Sequence, residues 1–162
     1  MEQTGKEMME ERGAFEAAAT MLIGRLVLEW SRFDLAIGLA AVWADEGRNL
    51  DQYSEALNNR PAANRVRFIE KIMRKKFAPE SVAYKLYSVW IRDADLIREC
   101  RNTIIHSRFG IVGVPPRLEG ARGLPTGRQD VIQYDLSTLQ GYIDDMVRLQ
   151  SELNQLRDQH PL

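Results

Sequence analysis

The sequence contains little cysteine and little histidine: Cys100 is the single cysteine and there are two histidines among 162 residues. A lone cysteine cannot form an intrachain disulfide, which favours a reducing compartment such as the cytoplasm. So few cysteines and histidines also argue against a structural zinc site. We therefore expect a cytoplasmic protein that uses neither a metal nor another cofactor.

Long apolar runs are also missing. No run approaches the roughly 18–20 residues that would span a bilayer, and the first residues, MEQTGKEMMEERG, are too acidic and polar for a secretory signal. Hydrophobic residues make up 44% and charged residues 28% of the chain, which indicates a globular protein without a membrane partner. We predict a flexible N-terminus (1–12), one domain (13–157) and a C-terminal tail (158–162) that frays.

Charge is distributed unevenly along a chain whose net charge is −1. Residues 107–128 carry four arginines and one acid, and residues 60–77 carry seven basic residues against Glu70. Such basic segments either bind phosphate or form an ordinary solvated helix face. The candidate RNA-binding residues among them are Arg65, Arg67, Lys71, Arg74, Lys75 and Lys76.

Apolar residues recur at steps of three and four over most of the chain, which predicts helices. We expect helices over 13–44, 61–77 and 80–106, a short helical turn at 50–59, and a last helix opened by a capping box of Ser137 and Gln140. The first helix has an apolar seam formed by Ile23, Leu26, Trp30, Phe33, Ile37, Ala40 and Ala44, which is widened by Leu35, Leu39, Val42 and Trp43. The apolar positions of the third helix are Val82, Leu86, Val89, Trp90, Ile97 and Ile104.

The segment 107–135 differs in texture because it is rich in glycine and proline and contains two short β-prone runs, FGIVGV and VIQY. It predicts a long β-hairpin or an irregular loop with a poorly ordered tip. The expected fold is therefore all-α: an antiparallel bundle of four to five helices, with this hairpin or loop before the last helix.

The stretch RECRNTIIHSRFG, residues 98–110, ends the third predicted helix with an arginine, an asparagine and one of the two histidines. A histidine in a last helical turn is commonly structural, because it interacts favourably with the helix dipole and with free carbonyl groups. Asp95, Glu99, Asn102 and His106 nevertheless share one stripe of about 60° on an ideal helix, whereas Arg101 lies about 140° from His106. Cys100 falls on the apolar side and is expected in the core.

Arg101-Asn102-Thr103-Ile104-Ile105-His106 resembles the signature of the HEPN superfamily (higher-eukaryote-and-prokaryote nucleotide-binding domains). In that signature an arginine, usually followed by a polar residue, precedes a histidine by four to six residues late in a core helix of an all-α bundle. The long first helix containing EWSRFDLAIGLAAVW, the Gly/Pro-rich segment and the Leu-rich last helix are also similar to bacterial stand-alone members. The resemblance covers about residues 13–157.

The resemblance implies metal-independent RNA cleavage by a toxin or anti-phage defence protein, with Arg101 and His106 as catalytic residues in the cleft of a homodimer. RNA supplies its own nucleophile, the 2′-OH, and a histidine can transfer the proton while an arginine stabilises the phosphate. Asn102 is expected to orient the histidine ring or to contact phosphate. The partners implied are RNA, a second copy of the chain and a cognate antitoxin protein.

Auxiliary residues are expected from the first helix, Glu29 and Asp34, although acids beside Arg32 are commonly surface ion pairs. Asp95 and Glu99 on the stripe, and Arg108 after it, are further candidates. The alternative is a catalytically silent HEPN-like module that binds a nucleotide, a nucleic acid or a protein, with His106 buried against a carbonyl. A third possibility is a helical assembly protein whose Leu-rich last helix docks a partner.

Overall fold

The computed structural model describes residues 4–123 and 129–162. It is mostly helical, with a small antiparallel sheet between the last two helices. Among the described residues, none of the helices has both the length and the apolar character needed to cross a membrane. The elements are α1 (Gly5–Val42), a 3-10 turn (Ala44–Gly47), α2 (Leu50–Leu57), α3 (Ala62–Lys76), α4 (Val82–Ile105), β1 (Arg108–Val112), β2 (Arg117–Arg122), β3 (Asp130–Tyr134) and α5 (Leu136–Gln159).

Helix α1 begins at Gly5, not at the predicted Gly13. The reason is a capping box that the sequence interpretation missed: the backbone N–H of Thr4 donates to Glu7 Oε2 (2.8 Å), and the N–H of Glu7 donates to Thr4 Oγ1 (3.3 Å). The hydrogen bonds from Thr4 also lower the pKa of the Glu7 carboxyl. Residues 5–12, predicted to be part of a flexible N-terminus, are therefore helical, and residues 1–3 lie outside the described part of the chain.

The described residues form two compact units, and α1, α4 and α5 contribute residues to both. The helical unit consists of Glu29–Glu99 and Asp144–Leu162. The sheet unit consists of the described residues up to Leu28 together with Cys100–Ile143. The motif of Arg101, Asn102 and His106 lies in the sheet unit.

Aromatic side chains dominate the core of the helical unit. Trp30 and Trp90 pack edge-on against Phe33, with ring centroids 5.9 and 6.2 Å away. Trp90 also donates its indole N–H to the carbonyl of Leu149 (2.8 Å), so its buried polar group is satisfied. The predicted seam of the first helix is confirmed except at its first residue: Ile23 is half-buried, and the buried members are Leu26, Trp30, Phe33, Ile37, Ala40 and Ala44.

The last residues do not fray as predicted. Leu162 is buried, and its carbonyl accepts a hydrogen bond from the backbone N–H of Asp45 (2.8 Å). The carbonyl of His160 likewise accepts one from the hydroxyl of Tyr87 (3.0 Å). These tertiary contacts hold the chain end in place, which the local sequence RDQHPL does not indicate.

The predicted apolar positions are buried only in part. On α4, Trp90, Ile97 and Ile104 are buried, whereas Val82, Leu86 and Val89 are 66%, 42% and 48% exposed, and Ala83 and Tyr87 are the buried residues near them. On α1, Leu35, Leu39 and Trp43 are also exposed. Both helices carry apolar residues on two faces, and periodicity alone does not show which face meets the core.

The β segment has three strands rather than the two of a hairpin, in the order β1-β2-β3 with antiparallel pairing throughout. The two β-prone runs form β1 and β3, whereas the polar RLEGAR of β2 gave no strand signal. Residues 124–128, which include part of the predicted poorly ordered tip, are outside the described residues.

Phe109 pairs with Gly120, and a Cβ at Gly120 would meet the Phe109 ring at 3.0 Å. This glycine therefore lets the ring lie close against β2.

Asp135 caps helix α5, so the predicted capping box of Ser137 and Gln140 is wrong. One carboxylate oxygen of Asp135 accepts hydrogen bonds from the backbone N–H of Thr138 (2.7 Å), the hydroxyl of Thr138 (2.7 Å) and that of Ser137 (2.8 Å). These bonds, led by those from Thr138, lower the pKa of Asp135 to about 2.

Candidate active site at the end of helix α4

The last turn of α4 leads directly into the sheet. His106 is the first residue after the helix, its backbone N–H still donates to the carbonyl of Asn102 (3.1 Å), and β1 starts at Arg108. Ser107 closes the helix end, because its hydroxyl donates to the carbonyl of Thr103 (2.6 Å). The histidine thus lies at a fixed helix-to-strand junction.

Arg101 is half-buried and is held by its neighbour in the motif. Its Nη1 donates to Oδ1 of Asn102 (2.9 Å), and its Nε atom is buried. The amide oxygen of Asn102 therefore faces the guanidinium and not the histidine ring, in contrast to the first of its two expected roles. A charged donor with a neutral acceptor fixes the direction in which the remaining guanidinium N–H groups point.

His106 is exposed, and its imidazole makes no hydrogen bond or ion pair with the part of the chain that the structure describes. The alternative of a catalytically silent module predicts that His106 is buried against a backbone carbonyl. In the structure His106 is exposed. An exposed imidazole can exchange protons with a substrate or with water, which is what general acid or base catalysis requires.

A second arginine lies beside the last turn of α4. Arg122 of β2 donates its Nη1 to Oγ1 of Thr103 on that helix (3.2 Å). Nearby, burial raises the pKa of Tyr134 and raises that of Tyr142 to about 12, and Cys100 hydrogen-bonds with Tyr142. Both tyrosines therefore remain neutral hydroxyls near pH 7. Cys100, which was expected in the core, interacts with them and is half-buried.

The acids expected from the first helix belong to the helical unit and are engaged in ion pairs. Glu29 pairs with Arg32 (2.8 Å), which is the surface ion pair that the sequence EWSRFD also allowed. Asp34 pairs instead with Arg65 of α3 (2.8 Å), and its second oxygen is buried without a hydrogen-bond partner among the described residues.

The two acids of the polar stripe pair with one arginine. Arg98 contacts Asp95 (3.0 Å) and Glu99 (3.3 Å), and both acids lie in the helical unit. Arg108, by contrast, belongs to the sheet unit and is exposed at the start of β1, two residues after the histidine. Of the auxiliary candidates, Arg108 is therefore the one that the structure places in the same unit as the motif.

The basic residues of α3 differ in availability. Arg65 is 21% exposed and its Nη1 is committed to Asp34, and Arg74 pairs with Glu70 (2.6 Å). The exposed residues of the set that form no ion pair within the described structure are Arg67, Lys71, Lys75 and Lys76. Lys75 and Lys76 also complement the negative end of the α3 dipole, so part of this charge has a structural use.

Sequence reasoning missed two arginines of the sheet unit. Arg12, assigned to a flexible terminus, donates its Nη2 to the carbonyl of Ile111 (2.8 Å). Arg122 was counted in the basic segment but was not singled out, because β2 was not recognised. Among residues 4–123 and 129–162, no group of three or more His, Cys, Asp or Glu side chains is arranged to hold a metal ion.

Comparison with known proteins adds no relative. A scan against protein-family models and searches of curated proteins and of solved structures find no match to this chain. The functional argument therefore rests on the site itself.

Proposed function

We propose that this chain is a HEPN-type endoribonuclease of a toxin or anti-phage defence system, and that it cleaves RNA without a metal cofactor. The observation that carries the proposal is the state of the motif: His106 is exposed at the end of α4, and Arg101 is oriented by Asn102 in the same unit. In this proposal the helices form the antiparallel bundle of that superfamily, and the protein acts in the cytoplasm.

The chemistry divides between the two residues. His106 removes the proton of the 2′-OH or supplies one to the departing 5′-oxygen. Arg101 donates planar, permanently charged N–H groups to the phosphate oxygens as their charge increases. The products are a 2′,3′-cyclic phosphate and a 5′-hydroxyl.

A homodimer is part of the proposed mechanism, because one histidine cannot serve as base and acid in the same step. Exposed apolar residues in the helical unit support an interface: Val82, Leu86, Val89 and Leu96 recur along α4 at steps of four, three and seven. The same surface of α4 would serve a cognate antitoxin, since the apolar face of α5 is buried in the core. The exposed bases of α3 supply sequence-independent affinity for the RNA backbone.

The test is cleavage of mixed cellular RNA in excess EDTA by the wild type, Arg101→Ala and His106→Ala, after all three are shown to fold and sediment alike. We expect cleavage by the wild type, a loss of at least about 100-fold in each variant, and cyclic phosphate ends on the fragments. His160→Ala is the matched control, since the structure uses that residue through its backbone carbonyl. Equal activity in all four proteins would assign the cleavage to a contaminant.

The alternative is a catalytically silent module that binds a nucleotide, a nucleic acid or a protein. One observation favours this alternative: the guanidinium of Arg101 already donates a hydrogen bond within the motif, to Asn102. RNA binding by the wild type with no cleavage under any condition would support this alternative.

A further inference from the structure

A cleft of about 290 Å³ opens within the sheet unit, between the first turns of α1 and the strands β1 and β2. Arg12, Glu16 and Thr20 lie along its helix side, and Phe109, Ile111 and Leu118 lie along its strand side. Leu118 is buried, whereas the three helix residues are exposed. The cleft therefore has an apolar floor and a polar rim, the usual composition of a small-molecule site.

Phe109 forms an aromatic wall of the cleft. Its ring is 38% exposed and packs edge-on against Tyr134, with the centroids 6.4 Å apart. On β2 it lies against Gly120, where a Cβ would approach the ring to 3.0 Å. An exposed aromatic ring held by the backbone of a sheet is the device with which many RNA-binding proteins stack an unpaired base.

The rim presents one acidic and one basic group. Arg12 donates one N–H to the carbonyl of Ile111 and so is held over the edge of β1, while a guanidinium has five N–H donors in all. Glu16 forms no ion pair with any residue that the structure describes, Arg12 included. A carboxylate accepts two hydrogen bonds, and a guanidinium donates two in parallel.

From these features we infer that the cleft binds a guanine base of single-stranded RNA, stacked on Phe109. Guanine is the RNA base that presents two adjacent donors, N1–H and N2–H₂, on its Watson–Crick edge, and two adjacent acceptors, O6 and N7, on its other edge. Glu16 accepts from the first edge and Arg12 donates to the second. Uracil, cytosine and adenine have neither two adjacent donors on the Watson–Crick edge nor two adjacent acceptors on the other edge.

The residues that line the cleft include one that is close in sequence to the proposed catalytic histidine. Phe109 follows His106 by three residues, so their Cα atoms are at most about 11 Å apart. In the inferred complex, the RNA backbone next to the bound guanine passes this part of the chain, so cleavage is expected beside a guanine. The inference deepens the proposed function by naming a base preference, and it depends on that function only for where cleavage occurs.

The experiment measures binding without cleavage, using His106→Ala and 5′-fluorescein-labelled hexauridylate in which one central base is U, G, A or C. We expect fluorescence anisotropy to give at least about fivefold tighter binding of the G-containing hexamer. Glu16→Gln should reduce that preference to less than about twofold, because an amide offers only one acceptor. Glu10→Gln, on the same helix but not in the cleft, should leave it unchanged.

Phe109 is tested by two substitutions in the same background. Phe109→Leu keeps the apolar bulk and should weaken binding of the G-containing hexamer by about fivefold or more through loss of stacking. Phe109→Ala should weaken it at least as much, provided that circular dichroism shows a folded protein. Val131→Ala, an exposed apolar residue on the other face of the sheet, is the control.

The outcomes separate the two proposals. Equal binding of the four hexamers, a preference for another base, or a G preference that survives Glu16→Gln would overturn the guanine site. A G preference in a protein that never cleaves RNA would uphold the site and remove the proposed function. Cleavage by the wild type without guanine beside the cut, together with equal binding of the four hexamers, would uphold the proposed function and remove the guanine site.

Discussion

At the scale of single residues, the contact between Arg101 and Asn102 changes the role expected for Asn102 in the motif. Asn102 lies one helical turn before His106, which made the histidine its natural partner. The structure gives its side-chain oxygen to the neighbouring arginine instead. Asn102 is then a residue that positions the phosphate-binding group.

Replacing Asn102 by alanine should lower kcat/KM for RNA cleavage by at least about tenfold, because a hydrogen bond to a charged group contributes about 1.5–3 kcal/mol. The fold should be unaffected, since the contact is between adjacent, half-buried residues of one helix. Steady-state cleavage of a labelled RNA measures the effect, and Asn154→Ala, an exposed asparagine on α5, serves as the control. Wild-type kinetics in Asn102→Ala would show that Arg101 needs no such support.

The sequence was sufficient to single out Arg101, Asn102 and His106, but not to show how they are used. Spacing along a helix gives the angle between two side chains and says nothing of which rotamer each adopts. The local pair of Glu29 and Arg32 could be anticipated, since the two residues are three positions apart on one helix. The partner of Asp34 could not, because Arg65 lies on α3 and the contact depends on tertiary packing.

At the scale of secondary-structure elements, the helices were predicted well and their ends poorly. Long periodic segments give a strong helix signal, so α1, α3, α4 and α5 were expected. Their caps depend on single side chains: Thr4 starts α1 earlier than expected, and Asp135 replaces Ser137 at the start of α5. Strand β2 was missed because its charged residues and its glycine give no alternating pattern.

The cap of α5 makes a prediction about pH. Hydrogen bonds that favour the ionised form lower the folded-state pKa of Asp135 from its ordinary value of 3.8 to about 2. A carboxylate with a lowered pKa contributes stability above its unfolded pKa and loses that contribution as the pH falls through the folded value. The stabilisation by Asp135 should therefore be complete at pH 7 and should disappear between about pH 4 and pH 2.

Asp135→Ala should accordingly lower the thermal unfolding midpoint at pH 7, and the difference from the wild type should shrink as the pH falls from 4 to 2. Asp135→Asn keeps a neutral capping oxygen and should lie between the two at pH 7. Asp130→Ala removes an exposed carboxylate of β3 and controls for net charge. A difference that stays constant down to pH 2 would contradict the assignment of the cap.

At the scale of the whole molecule, the central expectation is that activity belongs to a pair of chains. Each chain supplies one histidine of the motif, and the proposed reaction uses two. The exposed apolar row on α4 gives a monomer an unsatisfied surface that a second copy would cover. Activity should therefore follow the concentration of intact dimers and not that of chains.

Mixing the wild type with an equal amount of His106→Ala tests this. If both histidines of a dimer are needed, only dimers of two wild-type chains cleave, and activity at fixed total protein should fall to about a quarter. Independent monomers would retain about half under the same conditions. The mixture must be equilibrated long enough for chains to exchange, and sedimentation of each protein alone establishes that both dimerise.

The bond between Arg12 and the carbonyl of Ile111 also affects the resistance of the protein to aggregation. Strand β1 is an edge of the sheet, and an open edge offers backbone groups to which another chain can add a strand. The guanidinium of Arg12 occupies the carbonyl of Ile111, so a strand added at β1 would have to compete with it for that acceptor. We therefore expect Arg12 to hinder strand addition at β1, which is one of the two edges of the sheet.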